Sequence, residues 1–324
     1  MSSSPLRPPS HLPPATALQL SQQAPKIFEE APGAISTSVL QSLFSASETP
    51  ELWTIYENLL LSCLRTRDDG AAHQCLGRLI NRFGDENERV MALVGLLKEA
   101  EAEDDATLEV VLKEYNAILD KNPTNIPIVK RRVALLRSLG RVSDAVAALL
   151  SLLDFSPTDS EAWSELSDMY FSQGLYPQAI FALEEVLVLQ PNAWNIHARL
   201  GELLLMAAKS SQPADASRQL GEAVKRFCRS VELCDDYLRG FYGLKLATRK
   251  LLQEPPKIAK QSSDNDMPLP DATTLRRLDE LATEKLAEIT RKFAAGEKGW
   301  QGYDEAEVVA AKALLEEDSS AVTR

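Results

Sequence analysis

The sequence predicts an all-α fold: a solenoid of stacked helical hairpins closed by a capping helix near its C-terminus. Three observations predict it. Ala and Leu dominate the chain and aromatics make up only 6%, a balance that favours helices over strands. From Pro50 onward apolar residues recur three and four apart, with short breaks between runs. Pro123, Pro157 and Pro191 fall 34 residues apart, each after a helical run and before a polar or half-polar pair. Those pairs are Thr124-Asn125, Thr158-Asp159 and Asn192-Ala193. A fixed period of this length marks a repeat array, and 34 residues is the tetratricopeptide period.

The elements follow in order. Residues 1–33 carry seven prolines among Ser and Gln and read as a disordered lead. They hold no apolar stretch of the kind a secretion signal needs. Ile35, Val39, Leu40, Leu43 and Phe44 suggest a short amphipathic helix that would touch a membrane or a partner. Trp53, Tyr56, Leu60 and Leu64 form the next stripe. Ala72, Cys75, Leu76, Leu79, Ile80 and Phe83 form another, which Gly84-Asp85 stops. Residues 34–253 together form the expected solenoid.

The unit from 159 to 192 matches the repeat most fully. Trp163, Leu166 and Tyr170 supply the first helix, with Ser167 where Gly is usual. Ala179 and Leu183 supply the second, with Leu in place of Phe, and Pro191 closes the unit. These six are the expected repeat core: small residues let the helices approach and large ones fill the gaps between hairpins. If Trp163 is core, its truncation costs roughly 3–5 kcal/mol. The preceding unit has Leu136, Gly140, Ala145, Leu149 and Pro157 in the corresponding places, with Val129 instead of Trp. The following unit starts with Leu200-Gly201 and is then stretched by about ten residues around Lys209–Ser217, so that Phe227 arrives late. Residues 254–271 read as a Pro-rich linker, 272–318 as capping helices and 319–324 as a loose tail.

Charge and chemistry narrow the function. A net charge of −12 and a pI near 4.9 argue against a nucleic-acid backbone or an anionic lipid surface as main partner. No apolar stretch is long enough to span a bilayer, so at most peripheral membrane contact is expected. Cys63, Cys75, Cys228 and Cys234 form no CxxC pair and read as reduced, buried thiols. His11, His73 and His197 stand apart from one another in sequence, so no metal site is expected. The chain holds no G-x-S-x-G, HExxH or P-loop motif, and the glycine-rich run Gly296–Gly302 follows a helix and reads as a flexible connector. No cofactor and no catalytic activity are expected.

Repeats of this kind bind along the face lined by the first helix of each pair. On a helix with Trp163, Leu166 and Tyr170 facing the core, Glu161, Ser164, Asp168 and Phe171 share another face. One repeat earlier this set includes Lys130 and Arg137, with Arg131 in the basic triplet beside them. One repeat later it includes Asn195 and Glu202. The expected groove runs from basic to acidic, with Phe171 as a candidate apolar anchor.

The segment from Asp120 to Asn192 also resembles a known family. The resemblance rests on Asn122-Pro123-Thr124-Asn125, Lys130-Arg131-Arg132, Glu161-Ala162-Trp163, Glu165-Leu166 and Tyr170. It continues through Ala179, Phe181, Leu183-Glu184-Glu185, Pro191 and Asn192. Upstream, Trp53, Tyr56-Glu57, Asp68-Asp69 and Cys75-Leu76 fit as well, so that about residues 50–250 are covered. The family is subunit 2 of the endoplasmic-reticulum membrane protein complex. The resemblance implies a non-catalytic scaffold on the cytosolic face of the endoplasmic reticulum. Its implied partners are membrane-embedded and soluble protein subunits, which it braces for membrane-protein insertion. The Pro-rich lead, the linker and the tail depart from the family. The competing reading is a peptide-binding adaptor for chaperones, which needs several Lys, Arg and Asn side chains converging in the groove. An enzyme or transferase accessory domain ranks last.

Overall fold

A computed structural model describes residues 4–8, 12–30, 49–253 and 269–322. Among them the secondary structure is helical, without strands. The chain divides into two compact units, Met1–Phe155 and Ser156–Arg324.

The first unit opens with α1 (Pro14–Ser21) and α2 (Ala24–Glu30), followed by α3 (Pro50–Thr66) and α4 (Asp69–Phe83). Helices α5 (Glu88–Glu101), α6 (Asp105–Lys121), α7 (Ile126–Ser138) and α8 (Val142–Phe155) complete it. The two leading helices correct the expectation of a disordered lead. Ala17, Leu20 and Ala24 are buried, and α1 packs on α3. The Arg78 guanidinium of α4 lies 4.7 Å from the Phe28 ring centre and 5.3 Å from that of Tyr56. It also donates to the Phe28 carbonyl at 3.1 Å and to the Tyr56 hydroxyl. Asn58 and Arg65 of α3 donate to the carbonyls of Pro5 and Leu12. Proline content misled the sequence reading because Pro14 sits in the first turn of α1, where its missing N–H costs nothing. The Ile35–Phe44 helix lies outside the described residues.

Polar contacts between helices hold the rest of this unit. Tyr115 of α6 lays its ring on the backbone of α5 at Gly95, where a Cβ would lie 2.2 Å from the Tyr115 hydroxyl. That hydroxyl donates to Glu99, and Arg131 of α7 donates to both Glu99 oxygens. Burial and the adjacent carboxylate push the Tyr115 phenol well above its usual range. The three groups tie α5, α6 and α7 together by charge-assisted hydrogen bonds.

The second unit contains α9 (Ser160–Ser172), α10 (Tyr176–Leu189), α11 (Trp194–Ser210), α12 (Pro213–Leu233) and α13 (Leu238–Gln253). It ends with α14 (Ala272–Ala294) and α15 (Glu305–Val322). The repeat chemistry read from sequence is visible in the turns. Asn125 before α7 and Asp159 before α9 cap their helices by accepting from Ile128 and Ala162 N–H at 3.1 and 3.0 Å. At Gly174 (φ +73°) the chain turns left-handed, and the Leu175 N–H reaches back to the Tyr170 carbonyl at 2.9 Å.

Residue size across the hairpins explains the departures from the repeat. Ser167 is buried where Gly is usual, and its hydroxyl donates to the Ala179 carbonyl at 2.8 Å, opposite the smaller Leu183. One repeat on, Gly201 faces Phe227, and Gly243 faces the same ring from α13. Added Cβ atoms would lie 2.8 and 2.1 Å from that ring. Phe227 is 0% exposed.

The expected core needs two corrections. Leu166, Ala179 and Leu183 are buried, but Trp163 and Tyr170 are only half-buried against the core. Ala162 and Met169 take the inward positions instead. Trp163 lies in the first turn, donates its indole N–H to the Pro157 carbonyl at 2.9 Å and meets Phe181 edge-on at 6.1 Å. Pro191 is exposed, and its carbonyl bonds His197 Nε2 at 3.0 Å, where the third unit lacks a capping side chain.

The expected domain boundary after residue 253 is also corrected. Leu275, Ala282, Leu286 and Ile289 of α14 and Val308, Ala311 and Leu314 of α15 share one core with the repeats from Ala179 to Leu251. Lys245 of α13 is 1% exposed, and its ammonium donates to the Thr283 hydroxyl at 2.7 Å with Asp279 at 3.5 Å. The ten-residue insertion is helical: α11 and α12 run to 17 and 21 residues, against 13 and 14 in α9 and α10. Just past the added turns of α12 lies Gly221, on which Leu269 rests as the chain returns.

The glycine-rich connector is fixed rather than loose. Gly296 and Gly299 take positive φ, and Trp300 folds back under the Lys292 ammonium at 4.2 Å. Hydrogen bonds from Lys292 and then Lys285 hold the Glu288 carboxyl at about 2, well below its ordinary range. Tyr303 donates to the Asp236 carbonyl at 2.8 Å. Helix α15 then continues to Val322, through most of the expected tail.

Three stability measurements test this account by denaturant unfolding. Phe227→Ala should cost about 3–5 kcal/mol, because no neighbouring side chain fills the space between two glycines. Trp163→Ala should cost less, about 1–2 kcal/mol, because half of the ring stays in water. Arg131→Glu should cost about 3 kcal/mol by setting two carboxylates against each other in a partly buried site.

Candidate protein-binding groove

The first helices of the later hairpins leave a groove in the second unit. It has a volume of about 590 Å³ and lies along α11 and α13, with Phe171 of α9 at one side and Glu307 and Ala310 of α15 at the other. Its lining is mostly apolar: Leu203 and Met206 from α11, Leu238, Tyr242 and Leu246 from α13. Met206, Tyr242 and Leu246 are half-buried and face the groove, whereas Leu203 and Leu238 are buried beneath it as part of the core. Leu200 and Leu204 of α11, and Phe241 and Leu244 of α13, point inward and are buried.

Charged side chains border the apolar floor. Arg199 stacks over Phe171 at 4.9 Å and bonds Glu202 at 2.9 Å and Asp168 at 3.1 Å. Arg239 bonds Glu307 with its Nε at 2.7 Å, joining α13 to α15 across the groove. Lys209 and Lys250 also line it. The Lys209 ammonium lies 3.4 Å from the Met206 sulfur.

Of the residues expected in a groove, the structure places Phe171 and Glu202 in this lining and Asp168 at its edge, bonded to Arg199. Ser164 is half-buried and its hydroxyl turns back to the Ser160 carbonyl at 2.8 Å. Glu161 and Asn195 are exposed and line no part of this groove. Arg131, expected at the basic part of the groove, bonds Glu99 inside the first unit instead. Arg132 bonds Asn116 at 3.3 Å, Lys130 is half-buried, and Arg137 is exposed.

Sequence reasoning missed Arg199, Leu203, Met206, Lys209 and every contribution from α13 and α15. The expected set on α11, Asn195, Ala198, Glu202 and Leu205, meets the lining at Glu202 and Leu205, whereas Ala198 is buried and Asn195 is exposed outside it. The insertion then displaced α13 from the 34-residue count, and no local signal in the sequence restores it.

The remaining chemistry-bearing residues stay apart. Among the described residues no three His, Cys, Asp or Glu side chains are grouped to hold a metal ion. His73 pairs with Glu101 at 2.6 Å, while burial holds His197 below its usual range. Burial pushes the Cys228 thiol up to about 11, and Cys63 and Cys75 are fully buried neighbours in the core. Among the described residues no helix is long and apolar enough to cross a membrane.

Comparison with known proteins places the chain. Residues 76–214 match the EMC2 TPR-like repeat domain. The chain is 34% identical to TPR repeat protein oca3 of Schizosaccharomyces pombe over 244 residues, which is 72% of this chain and 82% of that protein. It is 30% identical to ER membrane protein complex subunit 2-A of Xenopus laevis over 215 residues, 66% of this chain and 68% of the relative. It is 26% identical to ER membrane protein complex subunit 2 of Saccharomyces cerevisiae over 202 residues, 61% of this chain and 69% of the relative. A repeat fold with an apolar groove, matched over this length, means that the chain belongs to the ER membrane protein complex subunit 2 family of TPR-like repeat proteins.

Proposed function

We propose that this chain is a non-catalytic scaffold subunit of an ER membrane protein complex, acting from the cytosolic face. Its task is to brace cytosolic parts of membrane-embedded subunits so that the complex can insert membrane proteins. The observation that carries this reading is the apolar groove of the second unit, built on helices whose other faces are locked into a core. A concave apolar floor bordered by charged side chains suits a protein segment laid along it. Family membership supplies the kind of assembly. The fit to a scaffold is physical: repeat stacks resist deformation along their length and present side chains from successive helices at fixed spacing.

Affinity purification of the tagged chain from detergent-solubilised cells, with mass spectrometry of the eluate, tests the reading. The expected result is a stoichiometric set of multi-spanning membrane proteins. Leu246→Arg, which puts a charge on the groove floor, should lower their recovery at least tenfold while circular dichroism shows the helical fold retained. Recovery of chaperones alone would replace this reading with the peptide-adaptor one. Recovery of nothing would remove both.

A further inference from the structure

The charges around the groove are unevenly used, and the imbalance defines what fits there. Arg199 is neutralised by Asp168 and Glu202, and Arg239 by Glu307. All of these sit toward the N-terminal halves of α11 and α13 or on the helices flanking them. Lys209 and Lys250 stand in the last turns of α11 and α13. Neither has a carboxylate within ion-pair distance among the described residues, whereas the arginines of the same groove are doubly or singly paired. The lining therefore carries four cations, Arg199, Lys209, Arg239 and Lys250, against the two anions Glu202 and Glu307. This local excess of positive charge belongs to a chain whose net charge is −12.

A lysine near a helix C-terminus is favoured by the helix dipole, whatever direction it faces. The dipole does not explain why the lysines of both helices border the same apolar floor. Leu203, Met206, Tyr242 and Leu246 fill that floor between the paired arginines and the unpaired lysines. From Arg239 to Lys250 the groove follows α13 for about 16 Å, taking 1.5 Å per residue, which is about three turns of an opposing helix. A helix laid there presents apolar side chains at positions such as i, i+3, i+4 and i+7, the spacing by which helices anchor in apolar grooves. Its charged flank then decides the polarity of binding, because complementary charge sets orientation and excludes the wrong partner.

We propose that the groove receives an amphipathic helical segment of a partner protein, with apolar side chains on Met206, Tyr242 and Leu246 and an Asp or Glu side chain against Lys209 and Lys250. This rests on the scaffold reading of the same groove and adds the chemistry of the segment it holds. The acidic group is carried by a side chain of the helix, since a helix laid along the apolar floor brings its flank to both lysines. The segment's acidic flank faces the C-terminal ends of α11 and α13, and its neutral or basic flank lies toward the Arg199 and Arg239 pairs.

The experiment is selection from a library of random 14-residue peptides displayed with their C-termini fused, so that no terminal carboxylate is available. The full chain and its Lys209→Glu/Lys250→Glu variant are panned in parallel. Circular dichroism and melting verify that the variant folds, as expected for two side chains outside the core. The full chain should enrich peptides that space apolar residues three and four apart with Asp or Glu on one flank. Amidated synthetic copies should lose at least tenfold in affinity for the doubly substituted chain, which should itself select Lys- or Arg-bearing peptides. Leu246→Arg should abolish binding of both kinds. Absence of enrichment, enrichment without acidic bias, or equal binding by the Lys209→Glu/Lys250→Glu variant would each overturn the proposal. If the doubly substituted chain recovers the full membrane-protein set from cells while showing no peptide preference, this inference fails and the scaffold reading stands. Loss of the set with Leu246→Arg alone, in the absence of acidic selection, separates the two in the same way.

Discussion

The Phe227 ring between Gly201 and Gly243 is the contact on which the second unit depends. A helix pair can approach this closely only where one partner gives up its Cβ, and here both neighbours of α12 do so. The ring fills the space that two side chains would otherwise dispute. Its placement sets the distance between α11 and α13, and that distance is the width of the groove. The groove's dimensions therefore follow from a buried contact on the opposite side of the same two helices. The ring is held in turn because interiors are close-packed and leave it no alternative site.

The first unit solves the same problem with a polar aromatic. Tyr115 lies against Gly95, but its hydroxyl ends at Glu99, which also takes the Arg131 guanidinium. A half-buried carboxylate of this kind is costly unless its lone pairs are filled, and here donors from α6 and α7 fill them. The arrangement converts a basic triplet that looks suited to an acidic partner into an internal fastening. A second fastening, the Arg78 guanidinium between Phe28 and Tyr56, holds the leading helices over α3 and α4. The end of a repeat stack needs such a cover, because a terminal hairpin has no neighbour to bury its outer face. At the other end α14 and α15 play that part, secured by Lys245 with Thr283 and by Arg239 with Glu307.

These fastenings bear on function through rigidity. A groove whose walls are α11, α13 and α15 keeps its shape because each wall is fixed by a separate contact: Phe227 for the first two, the Arg239–Glu307 pair and the Trp300 turn for the third. A preformed surface gives up little conformational entropy on binding, and this suits a subunit that holds one neighbour constantly rather than several in turn. The unequal use of charge around the groove has the same origin. Arginines near the N-terminal halves are consumed in holding the walls, whereas the two lysines near the C-terminal ends are left to face whatever enters.

The sequence by itself determined the helical class, the 34-residue unit, the positions of the turns and the inward places of Leu166, Ala179 and Leu183. Each of these is a local matter: period, left-handed glycine, Asx cap and small residue recur at fixed offsets, and adjacent residues suffice to specify them. The family resemblance was legible for the same reason, since it rests on the order of such features. The tertiary structure alone decided what each exposed side chain does. Trp163 turned to the flank of its hairpin, Arg131 was drawn inward by Glu99, and the lead condensed onto α3, all through partners 30 or more residues away or through the angle at which helices meet. The groove likewise depended on an insertion that lengthened two helices and on the meeting of α11, α13 and α15, and how helices meet is fixed by packing on all sides at once, which no single stretch of sequence specifies.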